Sequence, residues 1–144
     1  MAKRFRFKLE PILKMRTEKT KEAKNALSIA LRNRYKKEME IDTLQNTKKE
    51  QLEKQLKTSK AQDMQIIKDY IINLDNQIEH KKREKEKLVE IENMRLYELN
   101  EAMKEEKIIT KLREKKLEKH KLELKREEDN FLNEVATQQY IKKL

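Results

Sequence analysis

Lys57-Thr58-Ser59-Lys60-Ala61-Gln62-Asp63 is the one stretch of this chain that reads as a break between helices. It holds an adjacent Thr-Ser pair, found nowhere else in the chain, and no large apolar residue. Ser59 and Gln62 have capping-box spacing, and Asp63 is a second candidate N-cap. Elsewhere turn chemistry is nearly absent: the 144 residues include no Gly and one Pro, and 44% of positions are charged. Turns draw on Gly, Pro, Asn and Asp, whereas Lys, Glu, Leu, Gln and Arg favour helix. Such a composition is that of long helices and coiled coils.

Outward from the break, both flanks carry helical periodicity. Toward the N-terminus, Leu9, Leu13, Arg16, Thr20, Ala23, Leu27, Ala30, Arg34, Lys37, Ile41 and Leu44 step by four and three. Several of these seam positions are polar, so the seam is weak in places. The steps then shift to Leu52 and Leu56, a departure from the strict heptad that relaxes supercoiling. On the other flank the series runs Ile67, Ile71, Leu74, Ile78, Lys81, Lys85, Leu88, Glu92, Arg95, Leu99, Ala102, Ile109, Leu112 and Lys116. After drift it continues through Leu117, Leu124, Phe131 and Val135. The alternation in Phe5-Arg6-Phe7-Lys8-Leu9 reads as an extended lead-in, and Pro11 suits a first helical turn.

These signals predict an all-α fold: a long antiparallel two-helix coiled-coil hairpin forming a single domain over residues 1–144. Helix 1 is expected at about 10–56, the turn at about 57–63 and helix 2 at about 64–137. At ~1.5 Å per residue the helices would be about 70 and 110 Å long. In a hairpin with so short a link, a residue pairs with roughly 120 minus its own number. Residues 1–24 would then lie beside about 96–119, and the last residues, Gln138 to Leu144, would have no partner and fray. A parallel dimer of one helix broken at 57–63 is the alternative; apolar seams on both flanks favour the hairpin.

Composition limits the function. Only 35% of residues are hydrophobic and 5% aromatic, too few for a thick core. No stretch approaches the ~20 apolar residues that span a bilayer, and the basic N-terminus lacks the apolar block of a secretory signal. A cytoplasmic location is the default expectation. Without Gly there is no phosphate-cradling or dinucleotide loop. Without Cys there is no thiol nucleophile, and Ser28 and Ser59 have no neighbouring His. His80 and His120 lack metal-ligand spacing. Glu105-Glu106 and Glu127-Glu128 sit among lysines on helix surfaces, whereas a general acid needs a desolvated pocket. No enzymatic activity, cofactor or metal is expected.

The net charge of +10 is uneven. Residues 1–24 hold nine Lys/Arg and three Glu, residues 107–126 hold nine and three again, and residues 25–106 hold seventeen of each sign. The excess is either a solvated face or a contact surface for an acidic partner. A nucleic-acid-binding coiled coil is an alternative, but acidic residues interleave even in the basic segments, diluting any phosphate-binding stripe; no nucleic acid is expected. A structural scaffold or substrate-chaperone rod is a further alternative.

Two stretches carry a family resemblance. Phe5-x-Phe7-x-Leu9-x-x-Ile12-Leu13-x-x-Arg16 resembles the "FxFxLxxhLxxR" opening of the flagellar export protein FliJ family. Lys111-Leu112-Arg113-Glu114-Lys115-Lys116-Leu117-Glu118-Lys119-His120 resembles its "KLREKKLEEY" segment, with His120 where the family often has Tyr. It runs on through Leu122-Glu123-Leu124-Lys125-Arg126-Glu127-Glu128 and Phe131-Leu132-Asn133-Glu134-Val135-Ala136, similar to the "ELKREEQKxLDEIA" close. The resemblance spans essentially the whole chain. It implies a non-enzymatic, cytoplasmic part of the flagellar type III export apparatus, at the cytoplasmic face of the basal body and peripheral to the membrane through partners only. It further implies a stalk-like coiled coil that binds and stimulates the export ATPase (FliI) hexamer, links it to the export gate protein FlhA and, in some members, escorts export chaperones.

Joined to the charge map, the resemblance nominates Arg16, Lys111, Arg113, Glu114, Lys115, Lys116, Lys119 and Arg126 for the ATPase ring. The family's gate-binding positions match Tyr70, Leu74, Gln77 and Lys81, the last two departing from its usual small residue and His. Their spacing of four, three and four puts them on one helix face. For Tyr70 and Leu74 the competing reading is seam packing. Phe5 and Phe7, outside the seam period, are read either as a staple onto helix 1 or as an anchor for a partner.

Overall fold

The computed structural model describes residues 3–144. It is all-α: helix α1 spans Glu10–Lys57 and helix α2 spans Ala61–Lys143, and no described residue is in a strand. Together they are a helical hairpin. Helix α1 starts where the lead-in ends. The Glu10 amide donates to the Phe7 carbonyl at 3.1 Å, and the Leu13 amide to the Leu9 carbonyl at 2.9 Å. Pro11 falls in the first turn, where its missing N–H leaves no bond unmade.

The link is Thr58-Ser59-Lys60. The Thr58 hydroxyl donates to the Lys54 carbonyl at 2.7 Å, closing the end of α1. The Met64 amide donates to the Lys60 carbonyl at 3.0 Å, opening α2. Helix α2 thus begins ahead of the expected start near residue 64. Asp63 is not an N-cap but a first-turn residue, where its carboxylate meets the positive end of the helix dipole. At the far end α2 continues to Lys143, past the expected stop near 137. No Gly or Pro interrupts it, and Lys142 and Lys143 in its last turn suit the negative end of the dipole.

The chain divides into two units: Met1–Thr20 with Glu101–Leu144, and Lys21–Asn100. In each, a segment of α1 lies antiparallel to a segment of α2. In the Lys21–Asn100 unit Arg34 meets Glu92, Lys37 meets Glu84 and Lys48 meets Asp75. In the other unit Glu10 meets Arg113 and Lys19 meets Glu105. These pairs run one to six residues beyond the expected register. The spread is that of long side chains slanting along the seam, not of a single shift at the link.

Burial follows the seam series. Ala30, Ile41, Leu74, Ile78 and Leu99 form the core of the Lys21–Asn100 unit, and Phe7, Ala102 and Ile109 with Thr20 that of the other. The Thr20 hydroxyl is satisfied by the Arg16 carbonyl at 3.1 Å. Every α1 seam position from Leu9 to Leu44 is buried or half-buried, but Leu52 and Leu56, where the steps were expected to continue, are exposed. On α2 two positions depart: Lys116 is exposed, its place taken by half-buried Leu117, and Phe131 is 64% exposed.

Candidate partner-binding surfaces

In the Lys21–Asn100 unit the polar seam positions are answered across the helix pair. Arg34 bonds Glu92 from Nε and Glu38 from Nη1 at 2.7 Å. Lys37 bonds Glu84 at 2.6 Å and lies 3.2 Å from Glu40, while Lys85 reaches Glu38 at 3.3 Å. Glu40 Oε2 sits 3.2 Å from both Lys37 and Lys81. That oxygen is buried, and these two ammonium groups are its contacts, short of ideal hydrogen-bond alignment. The bond to Glu92, then that to Glu38, raises the pKa of Arg34; bonds to Glu84 and then Glu40 raise that of Lys37. Bonds from Arg34 and Lys85 lower the pKa of Glu38, bonds from Lys37 and Lys81 lower that of Glu40, and the bond from Lys37 lowers that of Glu84. Burial opposes each shift and loses. These carboxylates are held ionised, the opposite of what a general acid requires.

The unit containing most of the first basic segment and all of the second treats its cations differently. Arg113 donates from Nε to Glu10 at 3.0 Å, and its guanidinium lies 5.6 Å from the centre of the Phe5 ring. Arg16 donates to the Glu105 carbonyl at 2.9 Å. By contrast, Lys111, Lys115, Lys116, Lys119 and Arg126 are exposed, and among the described residues none forms an ion pair within its unit or elsewhere. Glu114 is exposed beside them. Exposed Glu118 and Glu123 are interleaved with these cations, but cations prevail along this stretch of α2, which makes a surface suited to carboxylates.

The other nominated residues separate by burial. Leu74 is 2% exposed and is a seam residue. Tyr70, at 41% exposure, and Gln77 face solvent on the same helix, and Lys81 is half-buried against Glu40. Phe7 is 8% exposed, and half-buried Phe5 packs on His120 with ring centres 5.6 Å apart. Both phenylalanines are engaged within the chain, Phe5 with α2 rather than as a staple onto α1. His120, which lacks metal-ligand spacing, is half-buried, and its Nε2 lies 2.9 Å from the Lys3 carbonyl. No sequence signal points to this contact, because the expected register pairs residues 1–24 with about 96–119 and stops short of His120.

Beyond His120, α2 has no counterpart. From Lys121 on, no residue is buried, and among the described residues no hydrogen bond or ion pair reaches the lead-in or α1. Leu122, Phe131, Leu132, Tyr140 and Ile141 are exposed there. No helix of the described residues is long and apolar enough to cross a membrane.

The family model for the flagellar FliJ protein matches residues 5–144. No curated protein and no solved structure matches the chain.

Proposed function

Since the chain belongs to the flagellar FliJ protein family, we propose that this flagellar export component binds the export ATPase ring and stimulates it without catalysing a reaction itself. The observation that carries the reading is the unpaired basic surface of Lys111, Lys115, Lys116, Lys119 and Arg126, set in a match that covers nearly the whole chain. Exposed lysines with mobile ammonium groups make polar contacts that hold a ring loop without locking it. Arg16, Arg113 and Glu114 border this surface; Arg113 acts partly through its hold on Glu10.

The contact with the export gate uses Tyr70 and Gln77 directly, with Lys81 at its edge and Leu74 supporting them from the seam. The protein works on the cytoplasmic side of the basal body, reaching the membrane through these partners, and escorts export chaperones.

Mixing the purified protein with the export ATPase and measuring hydrolysis and ring formation tests the reading. Stimulation with co-elution at moderate salt is expected. No stimulation and no co-elution would remove the ATPase role. Tight binding to DNA or RNA that falls steeply with salt would instead favour a nucleic-acid-binding coiled coil.

A further inference from the structure

Residues 3–9 run without helical structure up to α1 and are held on α2 by a small set of contacts. Phe7 is buried; Phe5 lies between the His120 ring and the Arg113 guanidinium; the Lys3 carbonyl meets His120 Nε2. Arg113 is the shared element. It touches Phe5 from the strap and Glu10 from the first turn of α1. Its side chain is 37% exposed, so solvent and partners can reach it. The strap carries Arg4, Arg6 and Lys8, all exposed, beside the exposed cations of α2. An acidic chain approaching this side meets cations from both.

We propose that residues 3–10 form a latch closed on Arg113 and His120, and that an acidic peptide segment opens it by taking Arg113 from Glu10 and Phe5. The exchange is favourable because it is nearly balanced. A partner carboxylate replaces the Glu10 carboxylate on the same guanidinium edge, and a second oxygen adds the bidentate bond that Glu10, donated to from Nε alone, leaves unmade. Glu10 loses little, since it keeps the positive end of the α1 dipole. Phe5 loses its cation and its hold weakens. Opening exposes the faces of Phe5 and Phe7 and the α2 surface beneath them, which is continuous along the helix with the uncovered segment from Lys121 onward. The partner is defined by its carboxylates, so the latch stands whether or not the ATPase supplies them.

Trypsin cleavage at Arg6–Phe7 and Lys8–Leu9 in the full chain, followed by mass spectrometry, reads the latch directly. A synthetic decapeptide of alternating Glu and Asp serves as the acidic probe. With the latch as described, the probe at low salt accelerates cleavage at both bonds at least about threefold and saturably. Glu10→Gln and Phe5→Ala accelerate it to a similar extent without probe, with helicity by circular dichroism unchanged. In Arg113→Ala cleavage is already fast and the probe adds nothing. Probe-independent or slowed cleavage in the parent chain would overturn the proposal, as would Glu10→Gln and Phe5→Ala variants cleaved at the parent rate. His120→Ala, which removes the other fastening, gives a second check: it too must loosen the strap while leaving Arg113 responsive to the probe.

Discussion

Arg34 on α1 donates to Glu92 on α2, and both stand at positions that the seam periodicity assigns to the interface. A pair of opposite charges thus fills a layer that in a simpler helix pair would be Leu against Leu. Replacing one partner strands the other. Arg34→Ala is expected to lower the Tm, because Glu92 and Glu38 lose their shared donor. Arg34→Leu with Glu92→Leu is expected to raise it, since an apolar layer of similar volume avoids desolvating two ions. Thermal melts of the two variants by circular dichroism check the sign reversal.

Acid should weaken the same unit. Glu38, Glu40 and Glu84 have depressed pKa values in the folded state, so their contribution is present above the ordinary carboxylate value and lost as pH falls through the folded one. Lys37 has a raised value, so its contribution is full below the ordinary lysine range and lost as pH climbs through the raised one. The Tm is expected to fall between about pH 5 and pH 2, modestly because these groups are in contact with solvent. Glu84→Gln should flatten part of that slope.

Leu74 and Tyr70, one helical turn apart, should respond in opposite ways. Leu74→Ala empties a buried seam position and is expected to cost about 2–5 kcal/mol in urea unfolding. Tyr70→Ala removes a ring that is only partly covered and should cost about 1 kcal/mol or less. Affinity for the export gate protein, measured by titration calorimetry, is expected to fall in Tyr70→Ala. An unchanged affinity would remove Tyr70 from the gate surface.

Reversing Lys111, Lys115, Lys116 and Lys119 to Glu should reduce stimulation of the export ATPase by about tenfold at low salt, with helicity intact. Arg113→Glu belongs to a different class. It sets a like charge against Glu10 and should loosen the first turn of α1 as well as weaken partner binding. Comparing helicity and stimulation in the two variants separates them.

A chain ending at His120 retains the cross-helix contacts of both units. Its Tm is expected to match that of the full chain, while the helical signal falls with the lost residues. The removed segment has no buried residue and, among the described residues, no hydrogen bond or ion pair to α1, so a large drop in Tm would reveal a contribution that its exposure does not suggest.

Much of the fold was legible because helix seams repeat. The steps from Leu9 to Leu44 mark the buried face of α1 even where the residue is Arg16, Arg34 or Lys37. The partners of those polar positions were not legible. A cross-helix pair depends on register and on how far each long side chain slants along the seam, and the observed pairs scatter over one to six residues past the expected register. Phe131 shows the other limit. Its place in the series says that the face is apolar, not that this chain supplies a cover. In the candidate surfaces, the excess of Lys and Arg was plain from composition, but its division was not: Arg113 serves the chain's own contacts, whereas the lysines around it are free of ion pairs among the described residues. Phe5 and Phe7 lie outside the helical period, yet Phe7 is a core residue and Phe5 half-buried, because the strap follows a course along α2 that no helical period describes.

The reversal between α1 and α2 is made without a glycine, and no described residue adopts a left-handed backbone. A turn that demands no special stereochemistry accepts many side chains. What it does not accept is a change in count, because one residue more or fewer shifts Lys48 away from Asp75 and Arg34 away from Glu92 together. Point substitutions at Ser59 and Lys60 should therefore drift freely over evolutionary time, while insertions and deletions there are purged. The hairpin's most permissive letters sit in its least permissive spacing.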